Sequence, residues 1–168
     1  MKNSTKKRLA VAFTGPSNSG KTTLIEQLSK ILHKDGYEVA IVKHDPKDKA
    51  KFDTEGKDSY KFTQTKASVA VVSPTRTTMF KNKTSTIDEI VDMFGEFDFL
   101  LVEGLKTLPL PRICVQRGEL NFDYFELSDC IALDDSVDTT QLPQDMDIVD
   151  LNNYNQIINW IKQNGKEV

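Results

Sequence analysis

Apolar residues fall into short clusters separated by polar turns, and their spacing changes from cluster to cluster. Arg8 to Thr14 is a nearly continuous apolar run, the pattern of a strand buried on both faces in a parallel sheet. From Lys21 to about Lys34, Leu24, Ile25, Leu28, Ile31 and Leu32 recur at three and four, forming one helical stripe that Gly36 can end with left-handed backbone. Glu38 to Lys43 reads as a second strand, completing a right-handed βαβ unit. Between Lys43 and Asp58 the pattern vanishes into five lysines and five carboxylates broken by Pro46 and Gly56, which predicts a loop. A short helix over about Asp58 to Lys66 leads to an apolar strand, Ser68 to Ser73, with Thr75 to Phe80 as its antiparallel neighbour across Pro74.

Thr86-Ile87-Asp88-Glu89 is a capping box, in which hydroxyl and carboxylate each satisfy an orphan backbone donor; Ile87, Ile90, Val91 and Phe94 are then expected to face a core. Phe97 to Val102, Arg112 to Gln116 and Cys130 to Leu133 read as further strands. A last helix over about Asn153 to Gln163 carries Tyr154, Ile157, Ile158 and Ile161 on one side and closes at Gly165. This alternation predicts an α/β domain of three layers, a mostly parallel twisted sheet flanked by helices, with ligands at the carboxyl ends of the strands. No repeat, low-complexity tract or linker interrupts residues 1–168, which are expected to form a single domain.

The composition, 38% hydrophobic and 28% charged over 168 residues, is that of a folded domain rather than a disordered chain. No apolar run approaches the roughly 18 residues that a membrane span needs. The basic start (Lys2, Lys6, Lys7, Arg8) meets a short apolar stretch and then Gly15-Pro16, so no secretory signal is expected. Two cysteines, Cys114 and Cys130, match no zinc or redox spacing and fit a reducing, cytoplasmic setting as buried small hydrophobes. The formal charge of −3 hides an asymmetry: Glu119 to Asp150 holds ten carboxylates and no Lys or Arg. Such a segment argues against a nucleic-acid partner and reads as a solvated acidic face or a dock for a basic protein.

The chemistry is concentrated in Gly15-Pro16-Ser17-Asn18-Ser19-Gly20-Lys21-Thr22, a full match to G-x-x-x-x-G-K-[ST] placed between a buried strand and an amphipathic helix. That context predicts a P-loop NTPase fold. A triphosphate needs many donors converging on a small volume; glycines at 15 and 20 permit close backbone approach, and the helix N-terminus adds partial positive charge. Lys21 is expected to reach the β and γ phosphates, and the Thr22 hydroxyl to ligate Mg²⁺. Glu103, which ends an apolar run before Gly104, is the expected acidic partner of the metal, directly or through water, and Asp45 is a third candidate. Asp98, at the far end of the same strand, reads as structural. The guanine-reading tetrapeptide is nearly present at Thr65-Lys66-Ala67-Ser68 and Asn82-Lys83-Thr84-Ser85, but each has Ser in place of the carboxylate, so residues alone do not separate GTP from ATP. Arg112 and Arg117 flank an apolar strand and are open both to an anionic group and to surface ion pairs.

Taken in order, the loop, Lys43-His44, Gly56-Lys57-Asp58-Ser59-Tyr60 and Leu101-Val102-Glu103-Gly104-Leu105-Lys106 resemble the MobB family, most of all in Asp53-x-x-Gly56-Lys57-Asp58-Ser59. The resemblance spans roughly residues 8 to 117. It implies a GTP-binding adapter, homodimeric and with weak GTPase activity, assisting the molybdenum cofactor guanylyltransferase that attaches a guanosine nucleotide to molybdopterin. It places phosphate binding on Gly15, Pro16, Ser17, Asn18, Ser19, Gly20, Lys21, Thr22 and Thr23, with Lys43, His44, Asp53, Lys57, Asp58 and Glu103 lining the same cleft. The chain departs from the family pattern at Asp45-Pro46-Lys47-Asp48, where a His-rich stretch is usual, and at Thr63 and Lys66-Ala67-Ser68. Read without the family, Asp58 is a helix N-cap and His44 is as open to scaffolding as to ligand contact. The alternative function is a small-molecule kinase or synthetase similar to dethiobiotin synthetase. A nickel-inserting GTPase would want a Cys/His cluster that the sequence does not offer.

Overall fold

The structure, a computed structural model, describes residues 7–168; Lys2 and Lys6 of the basic start lie outside the described residues. In chain order the elements are β1 (Leu9–Thr14), α1 (Lys21–Lys34), β2 (Val39–Lys43), α2 (Asp58–Gln64), β3 (Val69–Val72), β4 (Thr77–Phe80), α3 (Ile87–Phe94), β5 (Phe99–Glu103), β6 (Arg112–Gln116), β7 (Cys130–Leu133), β8 (Asp147–Asp150), α4 (Tyr154–Asn164) and β9 (Lys166–Glu167). Contacts group them into two units, one made of Glu96–Val168 with the segment through His44, the other of Asp45–Gly95.

The first unit is a sheet in the order β2-β5-β1-β6-β7-β8, all of whose neighbours are parallel. β9 pairs antiparallel with the start of β1, at Leu9 and Ala10, while β6 pairs with its end from Ala12 to Thr14. Side chains alternate across the pleat and so build two cores. Val11, Phe13, Ile113, Val115 and Ala132 join Leu24, Leu28 and Leu32 of α1 and Ile157 and Ile161 of α4 on one face. Cys114 and Ile131 point the other way, onto Phe125, Tyr124 and Leu142, where 3-10 turns at Phe122–Tyr124 and Thr139–Gln141 cover the sheet. Both cysteines are buried and free, and burial pushes the Cys130 thiol up to about 12. Asp98 accepts the Glu38 N–H at 2.8 Å, tying the foot of β5 to that of β2.

Two strands escape the sequence pattern. In β8 only Val149 is buried, while Asp147, Ile148 and Asp150 are exposed, so no period is visible; its inner register is fixed by β7 and by Trp160 of α4, whose Nε1 donates to Asp147 at 2.7 Å. β9 is two exposed residues held by backbone pairing, by Lys166 Nζ donating to the Pro109 carbonyl at 3.2 Å and by an ion pair of Glu167 with Lys7.

The second unit holds α2, the β3–β4 hairpin and α3. Thr86 and Glu89 form the capping box at the start of α3. The expected core face of α3 is corrected, however: Ile87, Ile90 and Val91 are half-buried and Phe94 is exposed. Val71, Val72 and Met79 of the hairpin are exposed too. A unit of this size has too little volume for its surface to enclose every apolar side chain. Among the described residues no helix is long and apolar enough to cross a membrane.

Candidate functional site

The loop from Gly15 to Gly20 joins the buried end of β1 to α1, and its backbone explains its sequence. Gly15 has φ +132° and Gly20 φ +98°, and Asn18 also takes a left-handed conformation at +62°. At Gly15 a Cβ would lie 2.3 Å from the Val115 carbonyl oxygen, so no side chain fits. Gly20 caps α1 without any side-chain hydrogen bond, and the first turn of α1 carries no acidic residue. Its orphan N–H groups and the positive end of its dipole are therefore left for an anion. The Ser19 hydroxyl is buried and has no partner among the described residues. A buried polar atom without a partner is costly, and a phosphate oxygen would satisfy it. Lys21 Nζ donates to the Gly15 and Pro16 carbonyls at 3.0 and 2.6 Å, folded back over the loop. Burial holds the Lys21 ammonium below the ordinary lysine range, partly offset by the negative charge of Glu103.

On the neighbouring strand Glu103 meets the loop. The Thr22 hydroxyl lies 3.3 Å from both carboxylate oxygens, and Lys43 Nζ lies 3.6 Å from Oε2. The β1–β5–β2 register explains the meeting, since Phe13, Glu103 and Lys43 share one row at the carboxyl edge. The His44 N–H donates to the Glu103 carbonyl at 3.0 Å, and a Cβ on Gly104 would lie 3.1 Å from His44 Cβ, so His44 packs over the strand end with its ring exposed. Hydroxyl and carboxylate are oxygen donors of the kind magnesium takes; this ion is usually held by one or two protein oxygens with water and phosphate completing its shell. Glu103→Gln is expected to weaken Mg²⁺-dependent nucleotide binding about tenfold while leaving metal-free binding within about twofold. Paired titrations with magnesium and with EDTA check this, and equal losses in both would remove Glu103 from the metal.

The remaining candidates lie in the second unit. Asp45 Oδ2 accepts the Lys49 and Ala50 N–H groups at 2.7 and 2.6 Å, closing its loop. Asp53 Oδ1 accepts from the Thr54 N–H at 2.8 Å and the Ser59 hydroxyl at 3.0 Å, while Oδ2 is buried without a partner among the described residues. Both aspartates, with Tyr60, Phe80 and Lys81, line a cavity of about 790 Å³ within that unit. The N-cap reading of Asp58 is corrected: Lys57 is the N-cap, in extended backbone and with no side-chain bond, and Asp58 is the first helical residue, paired with Lys61 at 3.1 Å. Gly56 at φ +87° turns the chain, and the helix starts one residue earlier than the Asp-Ser pattern suggests.

Arg112 and Arg117, alike in sequence, part company. Arg112 is 1% exposed, and its guanidinium donates to the carbonyls of Gly104, Leu105 and Leu108 at 3.0 to 3.2 Å. It is scaffolding for the loop after Glu103, which corrects both readings the sequence left open, an anion holder and a surface ion pair. Sequence reasoning placed Ser19 in the phosphate loop but not the burial of its hydroxyl, because a serine inside the loop motif carries no mark of it.

The MobB family model, described as molybdopterin guanine dinucleotide synthesis protein B, matches residues 10–135. Over 159 residues the chain is 28% identical to the molybdopterin-guanine dinucleotide biosynthesis adapter protein of Haemophilus influenzae, covering 90% of this chain and 86% of that one. The protein of the same name in Escherichia coli is 28% identical over 170 residues, covering 92% and 95%. The crystal structure of Bacillus subtilis MobB superposes with a TM-score of 0.75 at 23% identity, covering 94% of this chain and 98% of that one.

Proposed function

The chain belongs to the MobB family, and from that premise we propose that it is a GTP-binding adapter in the synthesis of the guanine dinucleotide form of the molybdenum cofactor. The observation that carries the nucleotide part is the convergence of donors between Gly15 and Thr22: glycine-dependent backbone, an uncapped helix N-terminus, a buried hydroxyl without a partner, and Lys21. When bound, GTP and Mg²⁺ supply a phosphoanhydride and the charge that neutralises it. Lys21 holds the terminal phosphates, Thr22 and Glu103 hold the metal, and Lys43 and His44 add a cation and a hydrogen-bonding ring at the end of β2.

Hydrolysis is expected to be slow, since Glu103 is engaged by Thr22 and Lys43 rather than standing ready as a base. The working form in this reading is a cytoplasmic homodimer whose partners are the molybdenum cofactor guanylyltransferase and molybdopterin. In a reconstituted assay with that transferase, GTP, Mg²⁺ and molybdopterin, adding the chain is expected to raise the yield of guanylylated cofactor several-fold. Lys21→Ala is expected to abolish the gain. No gain with a transferase that is active by itself overturns the adapter reading.

A further inference from the structure

We propose that Arg117 is a second phosphate-binding cation of the nucleotide site, aimed at the loop by Asp134, which acts as a positioning residue. This rests on the nucleotide-binding reading above and extends it to the opposite side of β1, where the sequence shows no motif.

Arg117 follows β6, and its guanidinium lies against the phosphate loop: a Cβ built on Gly20 would lie 3.5 Å from Cζ and Nε and 3.8 Å from Nη2. Nε is pinned to Asp134 Oδ2 at 3.1 Å. Among the described residues the two Nη groups have no partner, and the side chain is 48% exposed. A guanidinium held by one edge presents the other as a preset fork, which matches the oxygens of a phosphate and loses little rotamer freedom on binding.

The anchor is itself held. Asp134 ends just past β7, and its Oδ1 accepts from both the N–H and the hydroxyl of Ser136. The Ser136 oxygen in turn accepts the Gly118 N–H at 2.8 Å, clipping the loop after β6 to the loop after β7. The Ser136 hydroxyl, followed by its N–H and Arg117, keeps the Asp134 carboxyl below the usual carboxylate range despite some desolvation, so the charge that pins Arg117 persists through neutral pH. With both oxygens engaged, Asp134 is better explained as an anchor than as a group that reads a base.

Charge favours the arrangement. From Glu119 to Asp150 there is no Lys or Arg, and Asp134, Asp135 and Asp138 follow the carboxyl end of β7. A polyphosphate beside them would be repelled unless a cation stood between, and Arg117 holds that place.

The test is titration of GTP, GDP and ATP into the full chain and its variants at two salt concentrations, with thermal melts as a folding check. Arg117→Ala is expected to lose about tenfold in affinity for all three nucleotides, with an unchanged GTP-to-ATP ratio, a shallower salt dependence and an unchanged melt. Arg117→Lys is expected to recover only part, because an ammonium lacks the fork. Asp134→Asn is expected to cost several-fold in the parent and nothing further in Arg117→Ala, which a merely structural carboxylate would not do. Lys21→Ala separates the two claims. If it abolishes binding while Arg117→Ala binds like the parent, the Arg117 inference fails alone; if it too binds like the parent, the phosphate-loop reading fails. A selective loss of GTP over ATP in Asp134→Asn would make that residue a base reader and overturn the inference.

Discussion

Lys21→Ala is expected to weaken GTP binding about a hundredfold, near 2.7 kcal/mol, while leaving the melting temperature within a few degrees of the parent. The ammonium bonds two carbonyls of its own loop, Gly15 and Pro16. Those are exchangeable contacts, since water can take over when the side chain is cut back. Against a polyphosphate they are exchanged for charge-assisted bonds in a half-buried site, which water replaces poorly. The charge of Glu103 beside Lys21 favours the ammonium but repels a phosphate, so removing the lysine leaves the carboxylate with Lys43 as its remaining cation at the mouth of the loop. Lys30 on the same helix is the control, because it is exposed and pairs with Glu26 one turn away. Lys30→Ala is expected to change affinity by less than about twofold. Calorimetric titration of both variants checks the pair, and equal losses would detach Lys21 from the phosphates.

Gly15→Ala is expected to destabilise the fold by about 3 kcal/mol, lowering the melting temperature by roughly 10 °C, and to abolish nucleotide binding in whatever remains folded. The added methyl carbon would sit 2.3 Å from the Val115 carbonyl, an atom that belongs to a central strand paired with β7 and cannot yield without opening the sheet. The φ of +132° adds backbone strain for any L side chain. Gly36→Ala is the informative companion: its φ is also positive, at +84°, but nothing stands within 4 Å, so it carries the conformational penalty without the clash. Its cost is expected to stay near 1 kcal/mol. Chemical denaturation of the two variants separates the contributions, and similar losses would show that the contact with Val115 is unimportant.

From sequence alone the stretch from Arg8 to Lys34 was legible as strand, phosphate loop and helix, ending at the Asp35-Gly36 turn that the structure has. Each of those features is local: an apolar run, glycines where backbone must turn, and a stripe at helical spacing all act between residues close in the chain. Glu103 was legible for the same reason, as the carboxylate at the end of a buried run. The later strands from Phe97 to Leu133 and the helix closing at Gly165 were legible in the same way, and tertiary structure alone decided what local pattern left open. β8 and β9 exist because neighbours already in place offer them backbone partners, which leaves no period in Asp147–Asp150 or Lys166–Glu167. Two arginines five positions apart received opposite fates from the distant groups around them: three carbonyls enclose Arg112, while Asp134 holds Arg117 beside Gly20. Local backbone preference is written residue by residue, whereas burial and charge pairing belong to segments that meet only after folding.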